Sequence, residues 1–273
     1  MRGGLFNAAL VVLLTASQPA WSAAPPDFED GFRLLYETRF QEARGQFLQW
    51  EKLNPQDPLG HAWEGASYLF EEFYRQGVLT SQFFLDDKKF IGGVEGQPNS
   101  ASRAAFLSAC ATAEKLAMTR LGKNPRDPDA LLALTVTAGM LADYASLIDK
   151  HPFESLRRIR ESETYAKRLL AVKPDSADAY LALGAANYIV GSLPLHKRLL
   201  LRLGGIQGDR ELGMQQLATT AAKGNYLRPF AKILLALAAL REKQPHLARV
   251  ELQELAAEFP QNPLFAHELS LLN

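Results

Sequence analysis

Leu131, Leu132, Leu134, Val136, Met140, Leu141, Tyr144 and Leu147 fall at three-to-four spacing, the period of a buried helical stripe. Past Pro152 the pattern resumes in Leu156, Ile159, Ala166, Leu169 and Leu170, now with charges between them. The clearest pair lies near the C-terminus. "FAKILLALAAL" is apolar almost all round and predicts a helix buried on several sides. "PHLARVELQELAAEF" is amphipathic, with Arg249, Glu251, Glu254 and Glu258 on its polar face. A sandwiched helix followed by a half-exposed one is the layout of stacked helical hairpins. No run alternates as a strand would, and Asn-Gly hairpin turns are absent from the sequence.

One punctuation mark recurs between these stripes: "NPQDP" at Asn54–Pro58, "NPRDP" at Asn124–Pro128 and "FPQNP" at Phe259–Pro263, with "KPDSADAY" from Lys173 a looser version. The first proline stops one helix. Asp57, Asp127 and Asn262 then cap the next, with Pro58, Pro128 and Pro263 at its first position, where a missing N–H costs nothing. Five hairpins follow: Phe28–Leu53, His61–Gly122, Asp129–Val172, Ala177–Lys223 and Tyr226–Phe259, with a terminal helix Leu264–Leu272. The second and fourth carry insertions, near 76–99 and 192–208.

Gly31, Ala43, Phe47 and Pro55 in the first hairpin stand 12, 4 and 8 residues apart, as do Ala236, Ala248, Leu252 and Pro260 in the last. Tyr180, Leu183 and Gly184 add an aromatic and a leucine-small pair. With these residues the chain resembles the tetratricopeptide repeat (TPR) family. The resemblance implies an all-α fold: a right-handed α-solenoid of about five TPR-like hairpins, filling residues 25–273 as a single domain. It also implies a concave groove, lined by the inner helices, that binds peptides or partner proteins. Locally, Ser192–Leu217 is similar to a segment of the eukaryotic inclusion-body-clearance TPR proteins, from which only an extended inter-helix connection is carried over.

Residues 1–24 read as a secretory signal peptide: Arg2, an apolar core from Leu5 to Ala16, and small residues around Ala20-Trp21-Ser22. This implies an exported protein, periplasmic or secreted, with association to the envelope left open. Thirty basic residues balance thirty acidic ones, so no field of one sign argues for nucleic acid. Cys110, the single cysteine, cannot form an internal disulfide and sits in an alanine-rich helical setting that suits a small buried hydrophobe.

No catalytic constellation emerges. The five histidines are scattered singly, without H-E-x-x-H or a Cys/His cluster, so zinc is not indicated and no metal or cofactor is expected. Repeating the inner-helix spacing places Phe32, Tyr36, Phe70, Met140 and Ile189 toward the groove. The Lys/Asn carboxylate clamp of chaperone-binding TPR proteins is missing there, so a protein or peptide would be gripped by apolar contact. The alternative is a tightly curled array in which these residues are plain core. The connection "GSLPLHKRLLLRLGGIQGDRELGMQQL" supplies the other candidates, Arg198 and Arg202, set among leucines over 193–203. Those leucines are expected to fold back on the array, with peripheral membrane contact as the competing reading. A phosphate cradle is disfavoured, because Asp209 and Glu211 put negative charge at the helix start and Asp209 suits an N-cap of Arg210–Lys223. The expected function is a non-catalytic interaction scaffold. A carrier of a lipid or other apolar ligand, or a glycan-cleaving enzyme on a helical scaffold, are the alternatives.

Overall fold

A computed structural model describes residues 28–193, 195, 198–199, 202 and 207–272. Among these there is no strand, and thirteen helices are delimited. They are α1 (Phe28–Tyr36), α2 (Phe40–Leu53), α3 (Pro58–Arg75), α4 (Ser81–Leu85), α5 (Asp87–Gly92), α6 (Ser100–Lys123) and α7 (Pro128–Leu147). Then come α8 (Pro152–Val172), α9 (Ala179–Gly191), α10 (Arg210–Lys223), α11 (Arg228–Arg241), α12 (Pro245–Glu258) and α13 (Pro263–Ser270). The chain is an all-α solenoid in which α1/α2, α3/α6, α7/α8, α9/α10 and α11/α12 pair as hairpins.

The repeated turns fold as their chemistry dictates. Asp57 accepts a hydrogen bond from the Leu59 N–H at 3.0 Å, Asp127 from Asp129 and Ala130 at 3.1 and 3.0 Å, and Asn262 from Leu264 at 2.8 Å. Each follows a turn and precedes a proline at the helix start. The aspartates also reach back to the incoming helix: Trp50 Nε1 donates to Asp57 and Arg120 Nε to Asp127, both at 2.8 Å. One carboxylate thus caps the new helix and ties it to the old.

Small residues set the crossings. A Cβ on Gly31 would lie 2.5 Å from Cε1 of Phe47, so only glycine lets α1 and α2 meet here. Gly184 approaches the Leu217 backbone closely in the fourth hairpin, where an added Cβ would lie 2.9 Å from its nitrogen. α7 is apolar and long enough to cross a membrane by composition, but 72% of its most apolar window is buried among neighbouring helices, which makes it the central core helix.

The array curls until its ends meet. The Tyr226 ring stacks on Phe32 with centroids 5.2 Å apart and touches Phe28 and Trp63. Phe70 meets Phe230 edge-on at 5.4 Å, and Tyr36 meets Phe259. Asn262 donates to the Tyr36 carbonyl at 2.6 Å. Asp178, buried at the start of α9, holds this seam in place by accepting the backbone N–H groups of Asn225, Tyr226 and Leu227.

The 76–99 insertion packs on the array. Phe83 is buried, and Phe84 and Phe90 lie against the core. The Ser81 N–H donates to Glu268 at 3.0 Å, Arg241 pairs with Asp87 at 2.6 Å, and Val94 N–H donates to the Leu147 carbonyl at 2.8 Å. The segment therefore bridges α7 to the last hairpin. Asp86-Asp87-Lys88-Lys89, which the sequence suggests as a solvated turn, is exposed but helical, with Asp86 capping α5.

Candidate functional site

Closure decides the fate of the expected groove. Phe32 and Tyr36 are buried beneath Tyr226 and Phe259, Met140 is buried on α7, and Phe70 is half-buried against Phe230. For Phe32, Tyr36 and Phe70 the would-be occupant is the chain's own last hairpin. Ile189, at 38% exposure, remains open on α9.

One polar group persists on the inner stripe. Asp143 continues the Val136–Met140 row and is solvent-exposed, yet it makes no ion pair among the described residues. The surrounding protein thins the water around its carboxylate and pushes its pKa up to about 7. Among the described residues no charged neighbour contributes to the shift, so it reflects desolvation alone.

The connection after α9 holds the other expected residues. Arg198 and Arg202 are exposed and form no ion pair among the described residues. Leu195 and Leu199 are also helical and are 68% and 53% exposed. This corrects, for these two leucines, the expectation that they fold back on the array: no helix among the described residues covers them. The remaining leucines of 193–203 lie outside the described residues, except Leu193, which is half-buried. Leu195, Arg198, Leu199 and Arg202 are all helical and stand three or four residues apart, the spacing of neighbours on one helix face.

A cleft of about 500 Å³ is lined by Gly191, Arg198, Gly208, Asp209, Arg210 and Glu211. Asp209 caps α10, accepting from the Glu211 and Leu212 N–H groups at 2.9 and 3.0 Å. Arg210 is engaged by Glu242 at 2.9 Å. The cleft's charges are thus largely used internally, and Arg198 is its free cation among the described residues.

Cys110 is 1% exposed, and burial raises its thiol pKa, which makes it a packing residue. Elsewhere the fold creates a gathering that sequence reasoning missed. Glu51 at the end of α2 and His61 and Glu64 at the start of α3 bring one nitrogen and two carboxylates within 4.8 Å of one another. His61 Nδ1 lies 3.1 Å from Glu51 and 3.8 Å from Glu64. Hydrogen bonding to Glu51, then to Glu64, raises the imidazole pKa to about 9. The signal was the pair His61-x-x-Glu64 on one helix face ten residues after an acid at a helix end.

No family model matches the chain, and no curated protein matches it. Among solved structures it is similar to a thermophilic TPR protein of Thermus thermophilus, at 16% identity over 90% of this chain and 96% of that one, with a TM-score of 0.47.

Proposed function

We propose that this chain is an exported, non-catalytic scaffold of TPR-like hairpins that holds a protein partner on the outside of its fourth hairpin. The observation that carries the reading is the face formed by Leu195, Arg198, Leu199 and Arg202. Two largely exposed leucines on one face are unfavourable in water, and burying each against a partner is worth about 1.5–3 kcal/mol. The two arginines beside them, without ion pairs among the described residues, select a partner of opposite charge. The matching occupant is an acidic amphipathic segment, its apolar side on the leucines and its carboxylates on the arginines.

Export rests on the pattern of residues 1–24, with Arg2 before the apolar run Leu5–Ala16. N-terminal sequencing of the protein from envelope fractions should begin near Ala23 or Pro25. A retained Met1 would remove that part of the reading.

The binding test is differential crosslinking in native envelopes. Leu195→Glu/Leu199→Glu should lose a crosslinked partner that wild type and Leu247→Glu, a control at another exposed leucine, both retain. Equal recovery by all three would move the partner off this face. Binding of wild type to anionic phosphatidylglycerol vesicles, lost in Arg198→Glu/Arg202→Glu, would replace the protein partner with a membrane surface.

A further inference from the structure

We infer that Glu51, His61 and Glu64 form a binding site for one divalent transition-metal ion, with zinc the best fit, at the joint between the first and second hairpins. The donor set comes first. One imidazole nitrogen and two carboxylates suit a borderline ion such as Zn²⁺, whereas calcium and magnesium prefer all-oxygen shells and copper(I) prefers sulfur. Three protein ligands leave a fourth tetrahedral position for water.

The geometry agrees. Zinc bonds of roughly 2.0–2.2 Å put tetrahedral donors roughly 3.3–3.6 Å apart. The His61–Glu51 and His61–Glu64 separations, 3.1 and 3.8 Å, bracket that range. All three side chains are mostly buried, with 11%, 19% and 15% exposure for Glu51, His61 and Glu64, and their donor atoms all lie within 4.8 Å of one another.

Two further observations come from Glu51. Its Oε2 faces His61, while its Oε1 is shut away from solvent with no hydrogen-bond partner among the described residues, a cost that a cation held by both oxygens would relieve. Beside it, a Cβ on Gly60 would lie 2.8 Å from Glu51 Cγ, so glycine at 60 makes the room in which this side chain sits. A dication offsets the charge of both carboxylates, and the imidazole binds it through its neutral nitrogen.

The test uses untagged full-length protein and Zn²⁺ alone. Equilibrium dialysis should retain one Zn²⁺ per chain, and Glu51→Gln and His61→Gln should each weaken retention by about 100-fold, since even groups that merely orient a ligand change affinity by ~10–100-fold. If either variant fails to fold by circular dichroism, Glu64→Gln replaces it. No stoichiometric retention, or retention unchanged in a folded variant, would overturn the site, leaving His61 simply paired with Glu51. None of these outcomes bears on the Leu195–Arg202 face, so the two proposals fail separately.

Discussion

The hydroxyl of Tyr36 donates to the carbonyl of Tyr226 at 3.1 Å, joining the first and last hairpins across 190 residues. Around this bond the Tyr226 ring lies against Phe28, Phe32 and Trp63, so one residue of an inter-helix loop fills the space expected to form a ligand groove. The relationship turns an open superhelix into a closed one. Tyr226→Ala should therefore cost about 3 kcal/mol, the range for deleting a packed aromatic. Urea denaturation measures the loss. Small-angle scattering should show a larger radius of gyration, and an unchanged radius would mean the ends are held without Tyr226.

Asp178 holds that loop from the other side. Removing its carboxylate leaves the N–H groups of Asn225, Tyr226 and Leu227 without their acceptor. Asp178→Ala should destabilise by about 3 kcal/mol. Hydrogen exchange should quicken first at residues 225–227, and uniform exchange along the chain would argue against a local seam.

Asp143 gives a pH signature. Its folded pKa is raised to about 7, above the ordinary carboxylate value near 3.8. The protonated form is favoured in the fold, so the stability linked to this group is fully present below the unfolded value and is lost as pH rises through about 7. Asp143→Asn should raise the melting temperature by about 2 °C at pH ~8 and leave it unchanged at pH ~4. An equal shift at both pH values would show that charge is not the cause.

The Gly31 crossing sets two effects against each other. Alanine is the better helix former by about 1 kcal/mol, but the added methyl would meet the buried Phe47 ring at 2.5 Å. Overpacking wins, and Gly31→Ala should lose about 2 kcal/mol net in chemical denaturation. Gly45, with open space around it, is the control and should gain from the same change.

Leucine position alone separates two otherwise identical substitutions. Leu199→Ala should change stability by less than about 0.5 kcal/mol, whereas Leu217→Ala, at a residue 1% exposed, should cost about 3 kcal/mol. A large loss at Leu199 would place it in the core and remove the exposed face.

The sequence by itself determined the helices of the five hairpins, their capped starts and their pairing, but not α4 and α5 inside the 76–99 insertion. Caps at Asp57, Asp127, Asp209 and Asn262 depend on N–H groups two or three residues away, and prolines at the first helical position act within one peptide unit. Such local chemistry is legible in any short window. Gly31 with Phe47 and Gly184 with Leu217 follow the same logic, because a hairpin brings its two helices together in a fixed register.

Only the tertiary structure decided what the stripes touch. Phe32, Tyr36 and Phe70 have the same pattern whether they line a groove or seal a seam, since both require apolar residues on the inner face. How far the array curls is set by many small crossing angles summed over five hairpins, and no single window carries that sum. Leu195 and Leu199 have the spacing of core leucines, yet nothing among the described residues packs over them. Glu51, His61 and Glu64 are ordinary as scattered residues and become one cluster because the Asn54–Pro58 turn folds α2 back along α3.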